Sequence, residues 1–76
     1  MMAIDFNEKD RKMEVGRRIQ VEREAKNLTR DELAIYIGVE YDTLYKWEKG
    51  KRIPTDNFKV LLSNELGVSV QALFFD

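Results

Sequence analysis

The stretch from Thr29 to Pro54, TRDELAIYIGVEYDTLYKWEKGKRIP, constrains this chain more than any other, because two helix signals follow one another with almost no chain between them. Thr29 with Glu32 three residues on is a capping box, and Leu28 and Leu33 occupy the two positions of a hydrophobic staple around it. Leu33, Ala34 and Ile37 carry the inward stripe of that helix. Gly38 then supplies the left-handed conformation that stops it. The next start is immediate. Val39 and Leu44 have staple spacing around Glu40, and Leu44, Trp47 and Glu48 mark a three-to-four-residue repeat. Two helices joined by so short a turn must cross sharply, and Ala34 is small enough to let the second pass close over the first. With Val39 and Leu44 anchoring the second helix from beneath, Tyr41, Asp42, Tyr45 and Lys46 are left to project outward.

The rest of the chain is punctuated in the same way. A first helix runs from about Asn7 or Met13 to Lys26, with Val15, Ile19 and Arg23 on one face and Asn27 suited to a left-handed stop. A fourth runs from Thr55 or Asp56 to Leu66, with Phe58, Leu61, Leu62 and Leu66 inward and Gly67 as its end. A short fifth, Ser69 to Phe75, repeats the staple with Val68 and Leu73 around a serine cap. Strand alternation is missing throughout. The expected fold is all-α, a compact five-helix bundle, with residues 1–12 an N-terminal extension that can lengthen the first helix and residues 13–76 the folded domain.

Composition narrows the chemistry. The 76 residues include no Cys and no His, which removes disulfides, thiolate nucleophiles, thiol or imidazole metal sites and the commonest general base. The acidic pairs Glu22/Glu24 and Asp31/Glu32 fall on exposed helix faces, and so small a chain has little room for a substrate pocket. An enzyme is not expected, nor is a cofactor or a metal. No apolar run is long enough to span a bilayer, and Asp5, Glu8 and Asp10 make the N-terminus unlike a secretory signal, so a cytoplasmic protein with no membrane partner is expected. The formal net charge is only −1, but Lys46, Lys49, Lys51 and Arg52 cluster against Glu48 alone.

From Gly16 to Phe75 the chain resembles the Cro/lambda-repressor-like (XRE-type) helix-turn-helix family. The resemblance rests on Gly16, Ile19, Arg23, Leu28-Thr29, Leu33-Ala34, Gly38-Val39, Trp47-Glu48, Gly50, Pro54 and Leu66-Gly67-Val68-Ser69, in order and at the family's spacings. It implies a sequence-specific DNA-binding transcriptional regulator, a repressor, whose third helix, about Glu40 to Lys49, lies in the major groove of double-stranded DNA. Carried over position by position, Tyr41, Asp42, Tyr45 and Lys46 stand at base-contacting positions, and Arg30, Lys49, Lys51 and Arg52 near phosphate-contacting ones. Arg23 and Glu48 match the ion pair that ties the first helix to the end of the third. Arg30 stands where the family often has Gln, and Glu40 and Asp42 stand where Ser, Thr, Gln or Arg is commoner. Asp42 either selects cytosine or weakens DNA binding in favour of a protein partner, the second reading being a helix-turn-helix domain of antirepressor-like or antitoxin-like use. The family usually pairs its modules. The apolar end Val70, Leu73, Phe74 and Phe75 is the expected homodimer contact, because two adjacent phenylalanines cannot both point inward.

Overall fold

A computed structural model describes residues 8–75, and these form the helices α1 (Glu8–Ala25), α2 (Arg30–Ile37), α3 (Tyr41–Glu48), α4 (Asp56–Leu66) and a final turn, α5 (Gln71–Phe75), wound as a π-helix. The expected all-helical bundle is what forms. Residues 8–12 of the expected extension are the first turns of α1, whereas residues 1–7 lie outside the described residues.

Each helix end follows from local chemistry. Thr29 caps α2 as a complete capping box: its Oγ1 accepts from the Glu32 N–H at 3.1 Å, and its own N–H donates to Glu32 Oε1 at 2.9 Å. Gly38 ends α2 with φ of 78°, which lets the Val39 N–H reach back to the Ala34 carbonyl at 2.9 Å. At the start of α5, Ser69 Oγ accepts from the Ala72 N–H at 3.0 Å. Glu40 caps α3 without any side-chain hydrogen bond, so that short helix takes its order from packing instead.

The core gathers Val15 and Ile19 of α1, Leu33, Ala34 and Ile37 of α2, Leu44 and Trp47 of α3, Leu62 and Leu66 of α4, and Leu73 and Phe74 of α5. The Trp47 ring lies against Phe58 with centroids 5.4 Å apart, tying α3 to α4. One expected inward residue is not inward: Leu61 is exposed. The buried stripe of α4 runs through Leu62 and Leu66 with Phe58 one turn earlier, a strict four-residue row, and Leu61 falls beside it.

The approach of α1 to the end of α3 sets how tightly the bundle closes. A methyl group at Gly16 would stand 2.3 Å from the Trp47 carbonyl oxygen and 2.6 Å from that of Glu48. These are backbone atoms, which cannot rotate away. Helix propensity alone says that Gly16→Ala stabilises the middle of α1 by about 1 kcal/mol. The collision says the opposite, at about 1–3 kcal/mol or more. We expect Gly16→Ala to lower the denaturant midpoint, and a raised midpoint would show that α1 and α3 can part without loss.

Candidate nucleic-acid interface

Helix α3 buries Leu44, Trp47 and Glu48, and this choice of inward residues aims its other face at solvent. Two rows of side chains run along that face at four-residue spacing, a helical turn apart. In the first, Tyr41 and Tyr45 stack with centroids 6.2 Å apart and planes 18° from parallel. Two cations flank the second ring: the Arg30 guanidinium lies 5.2 Å from the Tyr45 centroid and Lys49 Nζ 5.7 Å from it. In the second row, Lys46 Nζ stands 3.0 Å from Asp42 Oδ2. The four residues expected to meet bases are thus on one face, with Tyr41 and Asp42 exposed and Tyr45 and Lys46 half-covered. Lys49, Lys51 and Arg52 are exposed at the end of α3 and in the loop after it.

Beneath this face sits a buried acid. The Glu48 side chain has 0% exposure, and two arginines share it. Arg23 Nε donates to Oε2 at 2.7 Å and its second amino group to Oε1 at 3.1 Å, a two-pronged pairing. Its remaining amino group donates to the Leu28 carbonyl at 2.7 Å, so each of Arg23's three side-chain nitrogens makes a hydrogen bond. Arg30 Nε donates to Oε1 at 2.7 Å. Among the described residues no buried side-chain nitrogen or oxygen lacks a hydrogen-bond partner. The Arg23–Glu48 contact is where the sequence motif puts it, but the second cation is not foreseen there.

Arg30 is therefore more than a cation at the surface. It also donates to the Tyr41 hydroxyl at 3.4 Å, and hydrogen bonding to Tyr41 and to Glu48 raises its pKa above the ordinary guanidinium value. Any phosphate it meets must approach the edge that Glu48 and Tyr41 leave open. No spacing rule links residue 30 to residue 48, which lie on different helices. The one hint in the sequence is an arginine at the start of α2, where the helix dipole disfavours positive charge.

The C-terminal residues divide. Leu73 and Phe74 are buried in the core, so they are corrected from contact candidates to core residues: α5 turns that side onto α1 and the bundle interior. Phe75 is 54% exposed and Val70 half-buried, and these two remain at the surface. Lys59 of α4 covers part of both rings, 5.7 Å from the Phe74 centroid and 5.2 Å from that of Phe75. Among the described residues no three His, Cys, Asp or Glu side chains converge as a metal site requires, and no described helix is long and apolar enough to cross a membrane.

The sequence matches the helix-turn-helix family over residues 19–73. Among solved structures, that of the restriction-modification controller protein C.AhdI from Aeromonas hydrophila is similar, with a TM-score of 0.76 and 26% identity over 82% of this chain and 94% of that one. No curated protein matches the sequence.

The geometry at Glu48 ranks three substitutions. Glu48→Ala strands two guanidinium groups, and Arg23→Ala takes from the buried carboxylate its two-pronged partner and leaves it only Arg30, each at a cost of about 3–5 kcal/mol. Arg30 is partly open to solvent, and its loss leaves the two-pronged Arg23 pairing intact. Arg30→Ala is expected to cost less than half as much as Arg23→Ala. Chemical denaturation of the three variants checks the order, and equal losses for the two arginines would show that Arg30 shares the buried charge evenly.

Proposed function

The chain belongs to the helix-turn-helix family, and on that premise we propose that it is a sequence-specific DNA-binding transcriptional regulator that reads the major groove with α3 and acts as a repressor. The observation that carries this reading is the outward face of α3. Its tyrosine stack and Asp42–Lys46 pair are presented side by side, held from behind by a buried ion network, with cations at its end. A helix in the major groove needs that division: side chains for base edges along its exposed face, and positive charge for phosphates at its flank. Tyr41, Asp42, Tyr45 and Lys46 take the first part. Lys49, Lys51 and Arg52 take the second, with Arg30 contributing the edge it has free. The similar structure being that of a controller protein supports a regulatory role.

One copy offers a reading helix of only eight residues, so pairing on DNA belongs to the same proposal. Two copies related by a two-fold axis place their α3 helices in successive major grooves, about 34 Å apart. Of the C-terminal apolar residues, Phe75 and the half-buried Val70 are those left at the surface for an isologous contact, in which each copy's ring meets the other's.

Two measurements test this. In gel shifts across salt concentration, a selected duplex should bind with an affinity that falls steeply as salt rises, and Lys51→Ala should weaken all sequences alike and flatten the salt dependence by about one unit of slope. Absence of binding at low salt would instead favour a protein partner for the same scaffold. In sedimentation, the wild-type chain should dimerise weakly and Phe75→Asp should be monomeric with its unfolding midpoint retained, since that ring is outside the core. A strict monomer at high concentration that protects a single half-site would remove the paired arrangement.

A further inference from the structure

The pair formed by Asp42 and Lys46 has only a small structural task, an i,i+4 contact in the order the α3 dipole favours. Both side chains are substantially exposed, 68% and 42% respectively, and an exposed pair one helical turn apart adds little to stability. It nevertheless occupies the middle of the face assigned to base reading, where an unpaired carboxylate would be repelled by phosphate. The arrangement leaves a positive donor and a negative acceptor 3.0 Å apart, pointing away from the protein and together without net charge.

We infer that Asp42 and Lys46 act as one unit that reads a single G·C base pair in the major groove. This rests on the DNA-binding reading above and goes beyond it by naming the base pair and the atoms. Guanine O6 and cytosine N4 are hydrogen-bonded to each other in the pair, so they lie about 2.9 Å apart, close to the spacing of the two side-chain groups. Lys46 Nζ donates to guanine O6 and N7, and Asp42 accepts the N4 hydrogen that points into the groove.

The order of groups across the groove selects this pair over A·T. In G·C the two acceptors lie together on guanine and the donor stands at the far side, so a cation and an anion side by side meet partners in matching order. In A·T the one donor, adenine N6, lies between the acceptors N7 and O4, and the thymine methyl follows. A carboxylate over N6 there would face an acceptor on either side. The side-chain pair also removes the penalty that an acid on a reading helix carries, because Lys46 neutralises Asp42 until cytosine N4 is in place.

The unit has a signature that neither a simple base-contacting lysine nor a merely solvated ion pair would give. Losing Asp42 frees Lys46 for phosphates, so Asp42→Ala should bind unselected DNA more tightly while losing preference at one position. Asp42→Asn keeps the shape but favours adenine, so the preferred base at that position should move from cytosine toward adenine. Asp42 is exposed, and near-wild-type unfolding midpoints will confirm that the variants fold.

The test is an unbiased selection of duplexes with the wild-type chain, followed by binding to the selected site. One G·C pair should emerge whose replacement by A·T, or whose modification to N4-methylcytosine, weakens wild-type binding about tenfold or more. Asp42→Ala should be indifferent to the N4-methyl group and should discriminate less against A·T. If the wild-type chain binds specifically but Asp42→Ala keeps every base preference, this inference is overturned and the DNA-binding reading stands. If the wild-type chain binds no duplex at low salt, both are overturned.

Discussion

A carboxylate with no solvent exposure is costly to bury, and Glu48 is held in place only because Arg23 and Arg30 surround it. Each of the three residues comes from a different helix: Arg23 from the last turn of α1, Arg30 from the first residue of α2, Glu48 from the last residue of α3. Two of them sit at the wrong end of their helix. A cation at the N-terminus of α2 and an anion at the C-terminus of α3 each oppose the local dipole by about 0.3–1 kcal/mol. Direct hydrogen-bonded pairing at 2.7 Å in a buried setting is the larger effect, so the network prevails over both dipole terms. The result is a three-way junction that fixes the angle at which α3 leaves the bundle.

That junction reaches the tyrosine row through Arg30. Arg30 bonds Glu48 below, donates to the Tyr41 hydroxyl and lies over the Tyr45 ring above. An isolated helix of eight residues would not hold its shape in water. Here the inward anchors Leu44, Trp47 and Glu48 hold one side, and Arg30 restrains the tyrosine row on the other. The tyrosines are therefore ordered before any ligand arrives, which lowers the entropy lost on binding. Gly16 belongs to the same device, because only a residue without a side chain lets α1 come near enough for Arg23 to reach Glu48.

Features written in neighbouring residues could be read directly. The Thr29–Glu32 capping box, the Gly38 stop, the serine cap of α5 and the placement of Trp47 in the core all depend on atoms a few positions apart, and the structure holds each of them. What could not be read depends on which helix lies opposite. The pairing of Arg30 with Glu48 spans 18 positions and two helices. Leu61 is as apolar as Leu62, yet α4 buries one narrow row and leaves Leu61 beside it. Two adjacent phenylalanines at the end of the chain showed that one must be exposed, and the path of α5 decides that it is Phe75. For the candidate site, the outward set on α3 followed from periodicity. The contacts within that set did not, since a four-residue spacing permits the Asp42–Lys46 pair without requiring it.

The charge distribution shows why a chain with a formal net charge of −1 can still present a face suited to DNA. Total charge governs the field only at distances where individual groups blur, and at about 8–10 Å salt already screens exposed charges from one another. Closer in, what counts is which acids have been neutralised. Glu48 lies under two guanidinium groups, so that trio contributes one positive charge, and Asp42 is matched by Lys46. Lys49, Lys51 and Arg52 then stand with no acid from α3 left to offset them. Most of the other acids are carried on α1, α2 and α4, where Glu14 and Asp56 hold salt bridges with the neighbouring cations Arg18 and Lys59. Within α3 both acids are spent locally, one in the core and one beside the bases it is proposed to read, and Glu40 at the N-cap stands at the opposite end of the helix from Lys49, Lys51 and Arg52.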